Sequence, residues 1–313
     1  LGTPSTWVRQ AMQGFFEGEL QAYPLGQYSR GREDLTRARA LAQEIFAPQD
    51  PPPVITTGTT ESLNTLALSL LVARTHPKPM KVLSTHHEHH GGLGIFEHHP
   101  SFEVIYAKRD ELTNPGAFEA RVAKDQPDIL FLAQSSWTDA VALPLPSLIG
   151  AARCASQDVF IIIDSAQALG LIPPPVSLAD AVVASCHKWL FGPQGTGILW
   201  VGDRLRGHIG GTHLNGHPLD PGDPMGAFEV SGGQDFSRYR GIGAALGLYQ
   251  AVGGTQVRAR SRGLARVLID ALMAGFEERG IDALRLRSSA EGSPGMFTLH
   301  FGNLDPYPLY VHL

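Results

Sequence analysis

The sequence predicts an α/β fold in which helices cover a mostly parallel β-sheet. Seven short apolar runs, many of them rich in β-branched residues, recur between Val54 and Val201. Most are continuously apolar rather than alternating, which is typical of strands buried on both faces of a sheet. Helical patterns separate several of the runs, and strands that alternate with helices usually form a parallel sheet.

The predicted elements follow one another in a simple order. Residues 61–73 and 148–155 place apolar side chains at helical spacing, so we expect helices there. These helices would pack on a sheet of seven strands. The predicted strands are Val54–Thr57, Lys81–Ser84, Val104–Tyr106, Ile129–Leu132, Phe160–Ile163, Ala181–Ala184 and Gly197–Val201.

The pattern changes after a loop rich in Gly, Pro and His at residues 207–226. We therefore predict a large domain over residues 1–235 and a smaller C-terminal α+β domain over residues 236–313. The chain has no initiator Met and ends abruptly, so we expect the smaller domain to be incomplete. The elements predicted in this part are helices at 241–252 and 257–276 and a strand at Met296–Phe301.

Composition excludes several classes of partner. The net charge is −5 and no run of Lys or Arg occurs, so nothing predicts a nucleic-acid or anionic membrane surface. The longest apolar stretches, such as Leu66–Ala73, are too short to span a bilayer. Two cysteines, Cys154 and Cys186, in a chain without a secretory signal are typical of a reducing compartment, so we expect a cytoplasmic protein.

Lys188 is the candidate nucleophile. It follows the apolar run Ala181–Ala184 and precedes Trp189, Leu190 and Phe191, whereas each of the other four lysines lies within two residues of Pro, Arg or Asp. Apolar surroundings disfavour an ammonium ion, lower the pKa of the amine and leave it neutral to attack an aldehyde. The alternative is a lysine that extends to solvent from a strand end.

Asp164 is the second candidate, because it ends a buried strand at the edge where α/β sheets bind ligands. A carboxylate there can keep a pyridine nitrogen protonated, which makes pyridoxal phosphate (PLP) an electron sink, and Gln167 can reach the phenolic oxygen of the same ring. The alternative is a helix cap. Asp164 and Lys188 lie 24 positions apart, which fits one strand–helix–strand unit with neighbouring strands.

A phosphate site is predicted where a strand runs into a helix at residues 57–64. Gly58, Thr59 and Thr60 place hydroxyl and backbone N–H groups at the helix start, where an anion is favoured. An ordinary Thr cap is an equally good interpretation. Ser185 and His187 flank the Lys188 segment and can also donate to a phosphate.

The segment from His86 to His99 contains six of the 13 histidines. Metal binding is one interpretation, but the spacing is not His-Glu-x-x-His and no cysteine lies nearby. A second interpretation stacks an imidazole on a cofactor ring. A third is a solvated loop.

Taken together, these motifs resemble the class V aminotransferase family of PLP enzymes. That family includes cysteine desulfurases, selenocysteine lyases, kynureninases and isopenicillin N epimerase-like proteins. The resemblance covers nearly the whole chain, with the motifs in the family's order. They are Gly58-Thr59-Thr60-Glu61, Glu88-His89-His90, Asp164-x-Ala166-Gln167, Ser185-x-His187-Lys188 and Gly192-Pro193-x-Gly195-x-Gly197.

The resemblance implies an aspartate aminotransferase-like fold (fold type I) and PLP held as an internal aldimine on Lys188. Lys188, His89 and Asp164 are then the catalytic residues, with His89 stacked on the ring and Lys188 as the base at Cα. No metal site is implied. The implied cofactor-binding residues are Gly58, Thr59, Thr60, His89, Trp137, Asp164, Ala166, Gln167, Ser185, His187 and Lys188.

Some positions depart from the family pattern. Trp137 stands where desulfurases carry Asn and where the epimerase-like branch more often has Trp. Gly232-Gly233 replaces a Gly-Thr whose hydroxyl reaches the partner's phosphate in the implied homodimer. No cysteine follows Lys188, so the desulfurase nucleophile is absent from this stretch. The family's arginine for the substrate carboxylate would lie beyond Leu313.

The sequence therefore predicts a PLP enzyme acting at Cα of an amino acid or amine, with aminotransferase or C–S lyase chemistry. One alternative is an epimerase-like activity on an amino-acid derivative. Another is a metal-dependent hydrolase that uses the segment His86–His99. A catalytically silent family member is the third.

Overall fold

A seven-stranded sheet forms the centre of the molecule. The computed structural model describes residues 2–19, 24–75, 77–210, 222–223, 225–229, 232, 234–280, 285–286, 292–302 and 307. Within these residues the strands lie in the order β1-β7-β6-β5-β4-β2-β3. The strands are β1 Val54–Thr56, β2 Met80–Ser84, β3 Phe102–Tyr106, β4 Ile129–Ala133, β5 Phe160–Asp164, β6 Ala181–Ser185 and β7 Gly197–Val201.

Strands β2 to β6 are parallel to one another, whereas β7 is antiparallel to both of its neighbours, β1 and β6. Six strands therefore run in one direction, and the mostly parallel seven-stranded sheet is confirmed. Every predicted strand is present, with ends that move by one or two residues. The parallel strands end together at one edge, which is where such sheets bind ligands.

Each face of the sheet contributes to its own apolar core. Leu130 and Leu132 of β4 pack on one side, and Ile129 and Phe131 pack on the other. This alternation is the period of two that a strand imposes. Because both faces are covered by helices, the strands are apolar at nearly every position, as the sequence pattern predicted.

All four predicted helices form, and each begins two to four residues earlier than predicted. The helical segments that the sequence pattern missed are α1, α2, α4, α5 and the short α7. In the described part of the chain the helices are α1 Thr6–Glu19, α2 Pro24–Phe46, α3 Thr59–Ala73, α4 His90–His98, α5 Pro115–Asp125, α6 Leu145–Ala155, α7 Asp203–Arg206, α8 Ser237–Val252 and α9 Gly254–Glu278.

The connection between β5 and β6 corrects one expectation. The two strands are neighbours, as predicted, but residues 165–180 form turns rather than a helix. Pro173, Pro174 and Pro175 explain this, because proline lacks the N–H that a helix interior needs and restricts the residue before it.

The described C-terminal part contains a small antiparallel pair, β8 Arg285–Leu286 and β9 Leu299–His300. The second of these lies inside the strand predicted at 296–301. The domain boundary near residue 235 stays a prediction. Among the residues that the structure describes, no helix combines the length and apolar character needed to cross a bilayer.

Candidate active site

One cavity of about 350 Å³ collects every predicted site residue. It lies at the edge where the parallel strands end, and the chain that follows β2, β4, β5 and β6 lines it together with the start of α3. The predicted residues thus share one cavity, and the role of each residue stays a prediction. The lining residues are Thr57, Gly58, Thr59, Thr60, Glu61, His89, Gly91, Gly92, Ala133, Ser135, Trp137, Asp164, Ala166, Gln167, Ser185, His187 and Lys188.

Asp164 is the last residue of β5, and its carboxyl group is buried at the inner end of the cavity. Its Oδ1 accepts the backbone N–H of Ala166 at 2.7 Å. Burial raises the pKa of Asp164, while the Ala166 N–H and the positive charge of Lys188 oppose that rise. A buried acid of this kind is stabilised as an anion when a cationic group binds beside it.

Lys188 follows β6, the strand next to Asp164. Burial lowers the pKa of its amine, and the negative charge of Asp164 works in the opposite direction. Each group thus acts on the charge of the other across the cavity. A partly desolvated amine is the form that attacks a carbonyl carbon.

The start of α3 forms a polar cradle. Gly58 precedes the helix with φ of 154°, a conformation that favours glycine, and the first turn leaves backbone N–H groups without helical partners. The hydroxyl groups of Thr59 and Ser185 lie 2.8 Å apart, which joins α3 to the end of β6. This arrangement is suited to a phosphate group.

His187 contributes to the same region. Its Nδ1 lies 3.0 Å from the carbonyl oxygen of Thr196, and a carbonyl only accepts, so Nδ1 carries the proton. Burial lowers the pKa of this ring. His187 therefore donates from Nε2 only as a cation, the form that a bound anion favours.

Three rings gather at the mouth of the cavity. His89 and His90 stack with centroids 4.3 Å apart, and Trp137 meets His89 edge-on at 5.1 Å. His89 Nδ1 accepts the Gly91 N–H, so a neutral His89 carries its proton on Nε2. Burial, His90 and Lys188 together lower the pKa of His89. A flat, neutral ring is thus held beside the cavity.

Gln167 is oriented from outside the cavity. Trp189 Nε1 donates to Gln167 Oε1 at 3.1 Å, so the oxygen of the amide is engaged. The amide nitrogen is then the group that can donate to an oxygen in the cavity.

The sequence pattern assigned no role to several lining residues. Gly92 lies against Asp164, since a Cβ there would be 3.2 Å from Asp164 Oδ2, and a Cβ at Gly91 would be 3.1 Å from His89 Nδ1. Two adjacent glycines, which lie in the first turn of α4, were the available signal. Ser135 Oγ is buried without a hydrogen-bond partner among the described residues, and nothing in a lone Ser foretold it.

The histidine-rich segment does not form a metal centre among the residues described. His86 stacks on Tyr106 at 3.8 Å, His87 contacts the hydroxyl of Thr138, and His99 caps a turn. Within the described ranges no group of three or more His, Cys, Asp or Glu side chains is placed to hold a metal ion. The hydrolase alternative therefore gains no ligand set here. Of the Gly232-Gly233 pair, Gly233 lies outside the described residues.

The side chains around this cavity fit PLP by their chemistry. A hydroxyl and N–H cradle suits the phosphate, a buried acid suits the pyridine nitrogen, and a desolvated amine suits the aldehyde. The glycines at 58, 91 and 92 leave room that Cβ atoms would fill.

Comparisons with known proteins agree with this interpretation. A family model described as aminotransferase class-V matches residues 7–311. The probable hercynylcysteine sulfoxide lyase of Mycobacterium tuberculosis (strain CDC 1551 / Oshkosh) is 32% identical over 143 residues, 44% of this chain. The match spans 34% of that protein, about a third of its length.

Solved structures similar to this chain include cysteine desulfurases. The apo cysteine desulfurase from Thermococcus onnurineus NA1 superposes with a TM-score of 0.80 at 18% identity, covering 98% of this chain and 78% of that chain. The cysteine desulfurase CsdA from Escherichia coli gives 0.74 at 22% identity, covering 97% and 77%. The predicted fold type I architecture is thus confirmed. Because the family model spans nearly the whole sequence, the chain belongs to the class V aminotransferase family of PLP-dependent enzymes.

Proposed function

We propose that this chain acts at Cα of an amino acid or amine, with PLP as cofactor and with C–S lyase or aminotransferase chemistry. The observation that supports this most directly is the pair formed by Asp164 and Lys188. The acid ends β5 and the amine lies just after the neighbouring strand β6; both line one cavity, and each shifts the pKa of the other.

Bound PLP supplies an electron sink for charge that develops at Cα. Lys188 would hold the cofactor through its amine and would serve as the base that accepts the Cα proton. Asp164 would keep the pyridine nitrogen protonated. His89 would cover the ring, and the Gln167 amide would donate to the ring oxygen.

The remaining cofactor contacts come from the polar cradle. Gly58, Thr59 and Thr60 would bind the phosphate together with Ser185 and His187. Trp137 and Ala166 would border the ring.

The lyase interpretation has two supports. The relative from Mycobacterium tuberculosis is a probable hercynylcysteine sulfoxide lyase, and a structural relative, C-DES, is a cystine C–S lyase solved in complex with its product cysteine persulfide. Desulfurase chemistry also needs a reactive thiol, and Cys186 is the cysteine nearest to Lys188 in the sequence. Burial raises the pKa of Cys186 far above neutrality, so its thiol stays protonated. C–S cleavage by a lyase requires no such thiol.

An epimerase-like reaction is the second candidate, and Trp137 favours it. This indole lies at the mouth of the cavity, at a position where the resemblance points to the epimerase-like branch. We further propose a homodimer with the Gly232-Gly233 segment near the partner's site. A cytoplasmic location fits the two free cysteines.

The covalent role of Lys188 is tested with Lys188→Ala. The wild-type chain should take up PLP, and borohydride reduction should fix it to the peptide that contains Lys188, as read by mass spectrometry. Lys188→Ala should retain no reducible PLP, whereas Lys124→Ala, an exposed lysine on α5, should behave as wild type. Reducible PLP on another residue would refute the assignment.

The reaction class is tested with a panel of amino acids, cysteine S-conjugates and their sulfoxides. Lyase chemistry releases ammonia and a keto acid without an amino acceptor, aminotransferase chemistry requires the acceptor, and epimerisation releases neither. Release of keto acid from sulfur-containing substrates alone would support the lyase proposal.

A further inference from the structure

Glu88 is a buried carboxyl group beside the cavity, and the proposed reaction gives it no role. It lies in the turn between β2 and α4, and its side chain is 7% exposed. Thr85 Oγ1 donates to Glu88 Oε1 at 2.9 Å. Oε2 is shielded from solvent and has no hydrogen-bond partner among the described residues. An ionised carboxylate left in this state costs far more than a neutral one.

The groups that face Glu88 do not supply a positive charge. Asp164 faces it from β5, the backbone N–H of Ala133 from β4, and the Thr85 hydroxyl from its own turn. Burial raises the pKa of Glu88 to about 8, and the negative charge of Asp164 raises it too, against the two hydrogen-bond donors. Lys188 acts on Asp164, the neighbouring acid. The carboxyl group is therefore mostly protonated at neutral pH.

The turn that contains Glu88 leads into His89 and contacts Trp137. The His87 N–H donates to Thr85 Oγ1 at 3.1 Å, so the hydroxyl that holds Glu88 also closes the turn. Trp137 Nε1 donates to the Glu88 carbonyl at 3.1 Å, and His89 is the next residue. The Glu88 side chain thus holds a turn whose backbone contacts Trp137 and leads into His89.

We propose that Glu88 is a positioning residue, whose neutral carboxyl group anchors the turn that presents His89 and Trp137 and adds no negative charge beside Asp164. The inference rests on the proposed function for what the cavity binds. The anchoring itself is a property of the folded chain and can be tested separately.

The first test is the pH dependence of thermal unfolding of the full chain as purified. A carboxyl with a raised pKa stays protonated in the folded state while the unfolded chain has lost its proton. Its contribution to stability therefore falls as pH rises from its ordinary pKa to about 8 and then levels off. Gln has no proton to lose, so the unfolding temperature of Glu88→Gln should rise relative to wild type between pH 5 and pH 8.

The control for this test is Glu103→Gln, which removes an exposed carboxylate on β3. Its unfolding temperature should track wild type at every pH. A difference between Glu88→Gln and wild type that does not change with pH would overturn the neutral-carboxyl part of the proposal.

The second test reads the cavity through the visible circular dichroism of bound PLP at pH 7. Glu88→Gln keeps a neutral group that accepts from Thr85, so its signal and PLP affinity should match wild type. Glu88→Ala loses the anchor, and PLP should bind about tenfold more weakly with a reduced signal. If Glu88→Ala does not fold, the variant Thr85→Val, which removes the same hydrogen bond, is used in place of Glu88→Ala.

The outcomes separate the two proposals. Glu88→Gln failing like Glu88→Ala would mean that an ionised carboxylate is required, and Glu88→Ala matching wild type would mean that Glu88 positions nothing. Either result overturns the inference. If wild type itself binds no PLP, the proposed function fails, while the unfolding test of the neutral carboxyl group keeps its meaning.

Discussion

At the scale of single residues, Asp164 shows how a site acid is held at a cost to the free protein. Its carboxyl group is fully buried, burial raises its pKa, and the positive charge of Lys188 compensates only in part. A buried acid in this position destabilises the fold when no cationic partner is bound, and a bound cationic group stabilises it. Stability and activity should therefore respond to its removal in opposite directions.

We predict that Asp164→Asn lowers kcat/KM at least about 100-fold, because a neutral amide cannot hold a proton on the pyridine nitrogen. Without cofactor, the free energy of unfolding should equal or exceed that of wild type, since the buried acid is gone. Steady-state kinetics and urea unfolding measure the two quantities. Asp158→Asn, an exposed acid, should change neither, and an active but destabilised Asp164→Asn would contradict the prediction.

The sequence allowed Asp164 and Lys188 to be selected because both follow buried strands, and a strand end is visible in an apolar run. Glu88 belongs to the motif Glu88-His89-His90, but the sequence does not show that its side chain is buried. The turn after β2 and the last residues of β4 and β5 come together around it, and residues from separate strands carry no local signal of that contact. Ser135 was missed for the same reason.

At the scale of elements, the contact between β7 and the turn before α3 fixes the phosphate cradle. A Cβ at Gly197 would lie 2.6 Å from Gly58 Cα and 2.7 Å from the Ala184 carbonyl oxygen. Both neighbours are backbone, which cannot move as a side chain does. The edge strand β1 and the turn after it can sit this close only because position 197 has no side chain.

We predict that Gly197→Ala costs about 1–3 kcal/mol of folding free energy and weakens PLP binding, because the turn at Gly58 must shift. Gly150→Ala in α6 is the matched control. A Cβ there meets nothing within 4 Å, so the change should stabilise the helix by up to about 1 kcal/mol and leave PLP affinity alone. Urea unfolding and PLP titration check both, and equal effects of the two variants would rule out the close-contact argument.

The sequence predicts the helices and strands that have a strong apolar periodicity. It does not predict helices such as α2 and α4, which depend on packing against the rest of the fold. α4 contains three glycines and two histidines, a poor helical composition, yet Leu93 and Phe96 are almost fully buried against the sheet. His89 and its bond to the Gly91 N–H start the helix. α2 was missed because its charged surface hides a narrow buried stripe formed by Leu35, Ala38 and Ala42.

At the scale of the whole molecule, Arg39 ties together parts of the chain that are distant in sequence. Its guanidinium makes a bidentate pair with Asp223 at 2.6 Å and donates to the Pro53 carbonyl oxygen at 2.7 Å. It thus joins α2, the entry to β1 and the segment after α7. No sequence pattern could pair residues 184 positions apart, so this link was unpredictable, although the fold class was not.

We predict that Arg39→Met lowers the free energy of unfolding by roughly 3 kcal/mol at pH 7, because the Asp223 carboxylate loses its buried partner. The control is Arg238→Met, whose pair with Asp235 at 3.1 Å is 40% exposed on both sides. Exposed pairs contribute less than about 1 kcal/mol, so this variant should lose far less. Similar losses for both would show that burial does not strengthen the Arg39 pair.

The difference in unfolding free energy between wild type and Arg39→Met should also depend on pH, in a direction that follows from the pKa of Asp223. The hydrogen bonds from Arg39 lower the pKa of Asp223, with burial opposing them. A carboxyl with a lowered pKa stabilises the fold above its ordinary pKa and loses that contribution as pH falls through the lowered value. The stability gap between wild type and Arg39→Met should therefore be full at neutral pH and narrow on acidification. A gap that stays constant in acid would mean that the guanidinium stabilises the fold through packing and its bond to the Pro53 carbonyl rather than through Asp223.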